Sequence, residues 1–181
     1  MLTYNQGIND AKRVVQDIVN NGYNASFISC NVLALRSKTL KAIKDFQPTH
    51  VYYFATPFIF NGHKGIFVNT KFQNFLNFYV EGFHQTLNYC YKFGVKNFFY
   101  PSSVAIDEMP LNMLEYTIAK NAGEILSSLI QKITPQIKIY KPRLPRMVTD
   151  QTVSVLETNN KDSLTILKYI RNFQKYLSSS E

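Results

Sequence analysis

Apolar and polar positions follow two different periods along the chain. Short unbroken runs of aromatic and β-branched residues predict strands, and longer segments with apolar residues every three or four positions predict amphipathic helices. The strand-like runs are "ASFISCNV", "THVYYFAT", "VKNFFYPS", "IKIYK" and "TVSVLE". The helical segments are "NDAKRVVQDIVNNG", "SKTLKAIKDF", residues 72–93, the segment after Glu115 and "KDSLTILKYIRNFQKYL". Strands and helices therefore alternate through most of the chain.

The same pattern predicts where helices end and which faces they bury. Asn9 or Asp10 is expected to cap the first helix, and Gly22 to end it. Gly94 is expected to close the long helix at residues 72–93. One apolar stripe on that helix comprises Phe72, Phe75, Leu76, Tyr79, Phe83, Leu87 and Cys90. On the next helix, the residues expected to face the core are Ile118, Ala122, Ile125, Leu126, Leu129 and Ile133.

This alternation predicts an α/β fold. Strand–helix–strand units connect with a right-handed crossover, and they build a doubly wound parallel sheet with helices on both faces. The run "THVYYFAT" is expected to be buried on both of its faces. Ligands of such sheets bind at the carboxyl ends of the strands. Residues 55–57, 102–103 and 142–145 fall at those ends, so three loops should line one crevice.

Composition favours a single globular domain. The 181 residues are 45% hydrophobic and 18% charged, which allows one sizeable core, and we expect one domain over residues 1–181. Cys30 and Cys90 lie in unrelated segments and the three histidines have no ligand spacing, so neither a disulfide framework nor a metal site is expected. No apolar run approaches the roughly 20 residues that span a bilayer, and no signal peptide is expected, because "MLTYNQGIND" lacks the charged and apolar regions of one. We therefore expect a cytoplasmic protein that does not enter a membrane.

The net charge of +8 raises the question of an anionic partner. One basic group recurs every third residue of a predicted helix, which is typical of a solvated face: Lys38, Lys41 and Lys44. A second group flanks prolines in a predicted loop: Lys141, Arg143 and Arg146. The loop could bind the phosphates of a cofactor or of a carrier-bound substrate as readily as nucleic acid.

Three polar residues in the segment "YPSSVAIDEMPLNMLEYTIAK" have a spacing that suggests chemistry. Tyr116 and Lys120 lie one helical turn apart and share a face, while Ser103 ends the preceding strand. A nearby ammonium lowers the pKa of a phenol, which suits a general acid or base. The two hydroxyls could hold one substrate oxygen between them. On its own, a tyrosine four residues before a lysine is also common on helix surfaces.

The context of this segment resembles the short-chain dehydrogenases/reductases. The separation of 13 residues between Ser103 and Tyr116, followed by "YTIAK", is similar to the catalytic segment of that family. The preceding "FYVEGFHQTLNYCYKFGVKNFFYPSSVA" resembles the epimerase-like, extended branch, with a ketoreductase-like branch as the other match. "IYKPRLPRMVTDQT" and "THVYYFATP" resemble segments that line the cofactor. The resemblance implies a Rossmann-like fold and covers most of the chain from Asn9 onward.

The resemblance also implies an activity. It implies an NAD(P)(H)-dependent oxidoreductase that reduces a ketone or a β-ketoacyl carbonyl, with a small-molecule or carrier-bound substrate. In that scheme Tyr116 is the acid/base, Ser103 orients the substrate oxygen, and Lys120 lowers the pKa of the tyrosine while binding the nicotinamide ribose. The residues implied to bind the cofactor are Ala55, Thr56, Lys120, Pro142 and Leu144. The cofactor is NADP or NAD, because Asn5 stands where an acid or a base would select between them.

Two departures from the family pattern stand out. The position of an asparagine in the family's proton relay is taken here by Tyr79. None of the seven glycines forms a Gly-rich turn after a strand, and "MLTY" resembles the family's second strand. The first strand–helix unit is therefore expected to be absent, which would weaken cofactor binding and leave an unpaired edge within the sheet. Gly123, after Lys120, is expected only to let its helix pack closely.

Three explanations of this absence stay open: an incomplete chain, a unit supplied by a neighbouring chain or domain, or loss of cofactor binding. The last would make the protein a catalytically silent Rossmann-like module that binds a partner. Aromatic residues on the second face of the long helix suggest packing between helices of two copies: Phe78, Tyr89 and Tyr91. Nucleic-acid binding through the net charge is the weakest reading, and it predicts affinity that collapses with salt.

Overall fold

Strands and helices alternate in the order that the sequence predicts. The computed structural model describes residues 1–59, 66–145 and 162–179, with side chains of the last segment from residue 165 onward. The strands are β1 (Leu2–Tyr4), β2 (Phe27–Ser29), β3 (His50–Tyr52), β4 (Asn97–Phe99), β5 (Ser102–Ser103), β6 (Lys138–Tyr140) and β7 (Arg143–Leu144). The helices are α1 (Ile8–Asn20), α2 (Ser37–Phe46), α3 (Asn69–Leu76), α4 (Phe83–Lys92), α5 (Ala105–Glu108), α6 (Leu114–Ile133) and α7 (Asp162–Ser178). The fold is α/β and Rossmann-like, a doubly wound parallel sheet with helices on both faces.

All strand pairs in the described residues are parallel. The pairs run β1–β2, β3–β4–β6 and β5–β7, with Phe98 opposite Ile139 in the central pair. β5 and β7 continue β4 and β6 beyond Pro101 and Pro142, because the Ser102 N–H still donates to the Pro142 carbonyl at 2.9 Å. A proline has no N–H to give to a sheet, so the two prolines interrupt the ladder at this level.

An unpaired edge separates β1 from β3, as the sequence predicts. Within the described ranges, β1 pairs only with β2, and β3 pairs only with β4. In the part of the chain that the structure describes, no ladder pairing joins the two groups of strands, and Met1 packs on the core cluster around Phe98.

The long helix is built in three parts and buries the stripe expected of it. A π-helical turn, Asn77–Gly82, joins α3 to α4. The most buried side chains of the stripe are Phe75, Tyr79, Phe83, Leu87 and Cys90, while Phe72 and Leu76 are half-buried. The helix ends at Lys92, and Gly94 follows with a φ of +92°, a conformation that glycine adopts without strain. The predicted stripe and stop are both confirmed.

The expected cap of the first helix is wrong. Gly7, with a φ of 73°, precedes the first residue of α1, so neither Asn9 nor Asp10 is the cap. The Asp10 carboxylate instead pairs with Arg13 one turn later.

The expected burial of β3 on both faces is also wrong, since Tyr52 is 39% exposed. Its ring contacts only Phe99 and Phe173 among described aromatic residues, so α7 covers this face incompletely.

The predicted inner face of α6 is also wrong. The apolar stripe of α6 faces outward, with exposed fractions of 48% at Ile118, 54% at Ile125, 51% at Leu129 and 81% at Ile133. Ala122 and Leu126 are half-buried, and Leu126 packs against the core. The buried residues of α6 are Glu115, Thr117, Ala119, Lys120, Gly123 and Ser127. Small and polar side chains let this face approach the long helix closely, which apolar periodicity does not register.

Some sequence-based expectations fall on residues that the structure does not describe. The predicted strand at residues 152–157 and the side chain of Arg146 lie outside the described ranges. Across the described ranges, no helix has the length and apolar character needed to cross a bilayer. In the same ranges no cluster of His, Cys, Asp or Glu could hold a metal ion, and Cys30 and Cys90 are both buried free thiols.

Candidate active site

Ser103 and Tyr116 meet at the carboxyl end of the sheet. Ser103 is the last residue of β5, and Tyr116 lies in the first turn of α6, which the chain reaches through α5. The Ser103 hydroxyl lies close enough to the Tyr116 phenol to lower its pKa, and it accepts the Ala105 N–H at 3.2 Å. The spacing in sequence thus places two hydroxyls side by side, where either can contact the same substrate oxygen.

Tyr116 has a raised pKa. Its ring packs edge-on against Phe75 and Tyr79, with ring centroids 5.6 and 5.7 Å apart. Burial raises the pKa of Tyr116 above 10.0, and the hydrogen bond from Ser103 lowers it only in part. The expectation that Lys120 makes this phenol unusually acidic is therefore wrong, because burial of the phenol dominates.

Lys120 directs its ammonium away from the phenol oxygen of Tyr116. Its Nζ donates to the Pro101 carbonyl at 2.7 Å and lies 5.9 Å from the centroid of the Tyr116 ring. The Tyr79 and Tyr100 rings enclose it from two more directions, at 3.9 and 5.3 Å. The whole residue is 6% exposed. Burial lowers the pKa of Lys120 to about 7, and the Glu124 carboxylate partly opposes that shift.

The residues expected to line the cofactor lie around this pair. Thr56, just past the end of β3, shares a 2.6 Å hydrogen bond between its Oγ1 and the Tyr79 hydroxyl. Ala55, beside it, is half-buried and packs on the core. Leu144 of β7 is the strand neighbour of Ser103, and the Pro142 carbonyl accepts the Ser102 N–H. The structure therefore brings residues from three separate segments to one edge of the sheet.

The sequence suggested that the loop carrying Arg143 binds an anionic ligand. In the structure, the Arg143 guanidinium is instead paired with carboxylates of the protein itself. Its Nε and one terminal nitrogen donate to the two Glu124 carboxylate oxygens at 2.9 and 2.8 Å, and its guanidinium also contacts Asp107. Glu124 further accepts a 2.5 Å hydrogen bond from Ser102. Burial raises the pKa of Glu124, but the hydrogen bonds from Arg143 and Ser102 outweigh it and hold the pKa below 4.5. This ion pair therefore links α6 to β7, and no spacing in the sequence predicts it.

Tyr79 is the residue whose role the sequence shows least. It stands out in sequence only as a departure from the asparagine of the resembled family. In the structure it is 1% exposed, and it contacts Thr56, Tyr116 and Lys120 at once. The nearest asparagine, Asn77, lies two residues earlier and accepts a hydrogen bond from Gln73 on the exposed side of the helix. The π-helical turn that carries Tyr79 has no sequence signal that we recognise.

Solved structures share this arrangement of strands and helices. FolM alternative dihydrofolate reductase 1 from Brucella suis matches over 97% of this chain and 76% of its own, at 11% identity and a TM-score of 0.70. Acetoin dehydrogenase from Enterobacter cloacae matches over 81% and 64%, at 15% identity and a TM-score of 0.66. The FolM protein from Brucella canis matches over 77% and 59%, at 13% identity and a TM-score of 0.64. The chain has the fold of the short-chain dehydrogenases/reductases.

The short-chain dehydrogenase fold is shared here at low sequence identity. The chain spans 59% of the Brucella canis protein and 64% of the Enterobacter protein, less than two thirds of each. Both Brucella structures are complexes with NADP. No protein-family model matches the sequence, and no curated protein sequence matches it either.

Of the residues expected around the nicotinamide, Ser103 and Tyr116 fit their role and Lys120 does not. Ser103 and Tyr116 fit the reacting end, because they place two hydroxyls together at the strand ends where such folds bind ligands. Lys120 does not fit the ribose contact as it is placed, since Tyr79 and Pro101 enclose its ammonium.

Proposed function

We propose that the protein is an NAD(P)(H)-dependent oxidoreductase of the short-chain dehydrogenase/reductase type that reduces a ketone or β-ketoacyl carbonyl in the cytoplasm. One observation carries this proposal: the fold brings the hydroxyls of Ser103 and Tyr116 close together at the carboxyl end of the parallel sheet, near enough for Ser103 to lower the pKa of the phenol. Similar folds that bind NADP support the choice of cofactor. A substrate that is small or attached to a carrier fits the same chemistry.

In this mechanism the two hydroxyls act on the carbonyl oxygen. Ser103 donates a hydrogen bond that orients the oxygen, and Tyr116 donates the proton as charge develops there. The raised pKa of Tyr116 keeps the phenol protonated at neutral pH, which is the form needed to protonate a reduced carbonyl. The residues that would hold the cofactor are Ala55, Thr56, Pro142 and Leu144, while Lys120 keeps its ammonium on the Pro101 carbonyl. When bound, the nicotinamide supplies the hydride.

The test combines cofactor binding with turnover. NADPH and NADH are titrated into the protein by fluorescence, and a panel of ketones and β-ketoacyl thioesters is then assayed for loss of reduced cofactor. We expect cofactor binding that is weakened by the lack of a Gly-rich turn, together with turnover that Ser103→Ala and Tyr116→Phe each reduce. Cofactor binding without any turnover across the panel would refute the reductase proposal.

A catalytically silent module that binds a partner is the second candidate. The enclosed ammonium of Lys120 and the outward-facing apolar stripe of α6 favour it. We propose a second copy of the chain as the partner, because Tyr89 and Tyr91 on α4 are also exposed, each at 36%. An assembly that forms through α6 in a protein with neither cofactor binding nor turnover would select this candidate.

A further inference from the structure

The ammonium of Lys120 lies in a box of aromatic rings. The rings of Tyr79, Tyr100 and Tyr116 surround its Nζ, with the Tyr79 centroid much the nearest at 3.9 Å. Among the described residues, its one hydrogen-bond acceptor is the Pro101 carbonyl at 2.7 Å. An ammonium has three N–H donors, so the others face the electron-rich faces of the rings.

The Tyr79 ring is held in place from every side. It stacks on Phe75 with centroids 5.8 Å apart and an interplanar angle of 6°. Its hydroxyl shares a 2.6 Å hydrogen bond with Thr56, and its backbone carbonyl accepts the Tyr100 hydroxyl at 3.1 Å. It also sits in the π-helical turn Asn77–Gly82, a local geometry that is rare and frequent at functional sites. A ring fixed in this way can fix the cation that it faces.

Lys120 in turn holds the backbone that leads to Ser103. Pro101 lies between β4 and β5, and its carbonyl accepts the ammonium just before the chain enters β5. Ser103 is the second residue of that two-residue strand. A displaced ammonium would release the Pro101 carbonyl and let the residue before β5 shift, while Ser102 keeps its backbone hydrogen bond to Pro142.

We propose that Tyr79 is a positioning residue: its ring holds the Lys120 ammonium on the Pro101 carbonyl and so sets the placement of Ser103. The value of this placement for catalysis rests on the proposed function, but the contact itself does not. The titratable groups that face the ammonium are Glu124 and Tyr116 on α6, Tyr100 before β5 and Tyr79 itself. The π-electron density of the Tyr79 ring favours the protonated form of Lys120 against the effect of burial.

The experiment varies the electron density of the ring while keeping its shape. Phenylalanine and its mono-, tri- and pentafluorinated analogues are incorporated at position 79, and the pKa of Lys120 is followed by NMR of carbon-labelled lysine without cofactor or substrate. Lys120→Arg assigns the signal. We expect the pKa of Lys120 to fall stepwise along the series, by about one unit at the pentafluorinated end. Backbone amide shifts of Ser102 and Ser103 are expected to move with it.

A surface pair provides the matched control. Lys92 Nζ lies 5.7 Å from the Tyr89 ring on the exposed side of α4, so the same analogues at position 89 should leave the Lys120 titration unchanged. An unchanged Lys120 pKa along the series at position 79 would overturn the contact, and unchanged Ser102 and Ser103 amides would overturn the link to β5. The experiment measures no turnover, so its outcomes can be interpreted even if the protein is not a reductase. The analogues keep an aromatic ring at position 79, so the result does not depend on whether a variant without that ring folds.

Discussion

The Tyr100 hydroxyl occupies the space where a side chain on Gly123 would begin. An added Cβ at Gly123 would lie 1.9 Å from that hydroxyl oxygen and 2.9 Å from the Tyr79 carbonyl. Tyr100 is 0% exposed and donates to the Tyr79 carbonyl, so it has no room to withdraw. The expectation that Gly123 serves close helix packing is confirmed.

Gly123→Ala is therefore expected to destabilise the protein. Overpacking costs about 1 to 3 kcal/mol or more, and the gain of about 1 kcal/mol from alanine in a helix offsets only part of it. Because an approach of 1.9 Å places this site at the upper end of that range, urea denaturation would measure a net loss of about 2 kcal/mol. Asn121→Ala, on the exposed side of the same helix, should leave the free energy of unfolding within about 0.5 kcal/mol. A Gly123→Ala protein that is as stable as the parent would contradict the close approach.

Tyr116→Phe should remove carbonyl reduction while leaving the fold intact. The phenol is the proposed proton donor, and general acid catalysis contributes about 10²- to 10⁴-fold to a rate. We expect kcat to fall by about that factor, with nicotinamide binding and the thermal midpoint little changed. Tyr91→Phe, on the exposed side of α4, is the control and should keep full activity. A Tyr116→Phe protein that reduces ketones at the parent rate would remove the acid/base assignment.

The two directions of the reaction should depend differently on pH. Burial raises the pKa of Tyr116 above 10.0, so the phenol stays protonated across neutral pH. Reduction needs the protonated phenol, so titration of Tyr116 should not change the reduction rate between about pH 6 and pH 9. Oxidation of an alcohol needs the phenolate, so its rate should keep rising beyond pH 10 without a plateau below it. An oxidation rate that levels off near pH 7 would show that the phenol is acidic after all.

Lys120→Met should change how stability depends on pH. The pKa of Lys120 is about 7 in the folded protein against 10.5 for an ordinary lysine, so between these values the unfolded chain binds more protons. The free energy of unfolding should therefore rise with pH across this window, by an amount on the order of a few kcal/mol. Lys120→Met should flatten that rise, and Lys92→Met should preserve it. A rise that survives in Lys120→Met would assign it to other groups.

That measurement is best kept below pH 10. Four buried phenols have raised pKa values, at Tyr53, Tyr79, Tyr100 and Tyr116, chiefly because of burial. A raised phenol pKa gives stability that is present below pH 10 and is lost as the pH rises further. Above pH 10, the loss of stability from the phenols opposes the gain from Lys120. Below pH 10, the phenols do not contribute, so the Lys120 effect can be measured by itself.

Glutamate on the outer face of α6 should disrupt self-association. Ile125 and Leu129 are more than half exposed, and a continuous apolar stripe of this kind is typical of a contact surface. Sedimentation velocity should show an assembly of the parent protein that Ile125→Glu and Leu129→Glu shift toward monomer. Asn121→Glu, which adds the same charge beside the stripe, should not. A parent protein that is monomeric at every concentration would contradict the proposed interface.

The local sequence pattern predicted which segments form helices and strands better than it predicted which of their residues are buried. "SKTLKAIKDF" becomes α2 over the same ten residues, because its periodicity and the following loop both act locally. The inner face of α6 was not predictable in this way, since Lys120 and Gly123 fit only against Tyr79 and Tyr100 from distant segments. Spacing brought Ser103 and Tyr116 together, but it carried no information on burial, which decides the pKa of Tyr116.

Pro101 also explains why the sheet opens at this level. The Phe99 carbonyl accepts the N–H of Tyr53, the residue after β3, at 2.9 Å, and the next carbonyl on that side of the strand, at Pro101, receives Lys120 Nζ instead. A side-chain cation thus completes the backbone hydrogen bonding that β3 gives up as it turns away. Loss of that cation would leave a carbonyl acceptor unsatisfied at the floor of the cleft, where water or a ligand donor would have to replace it.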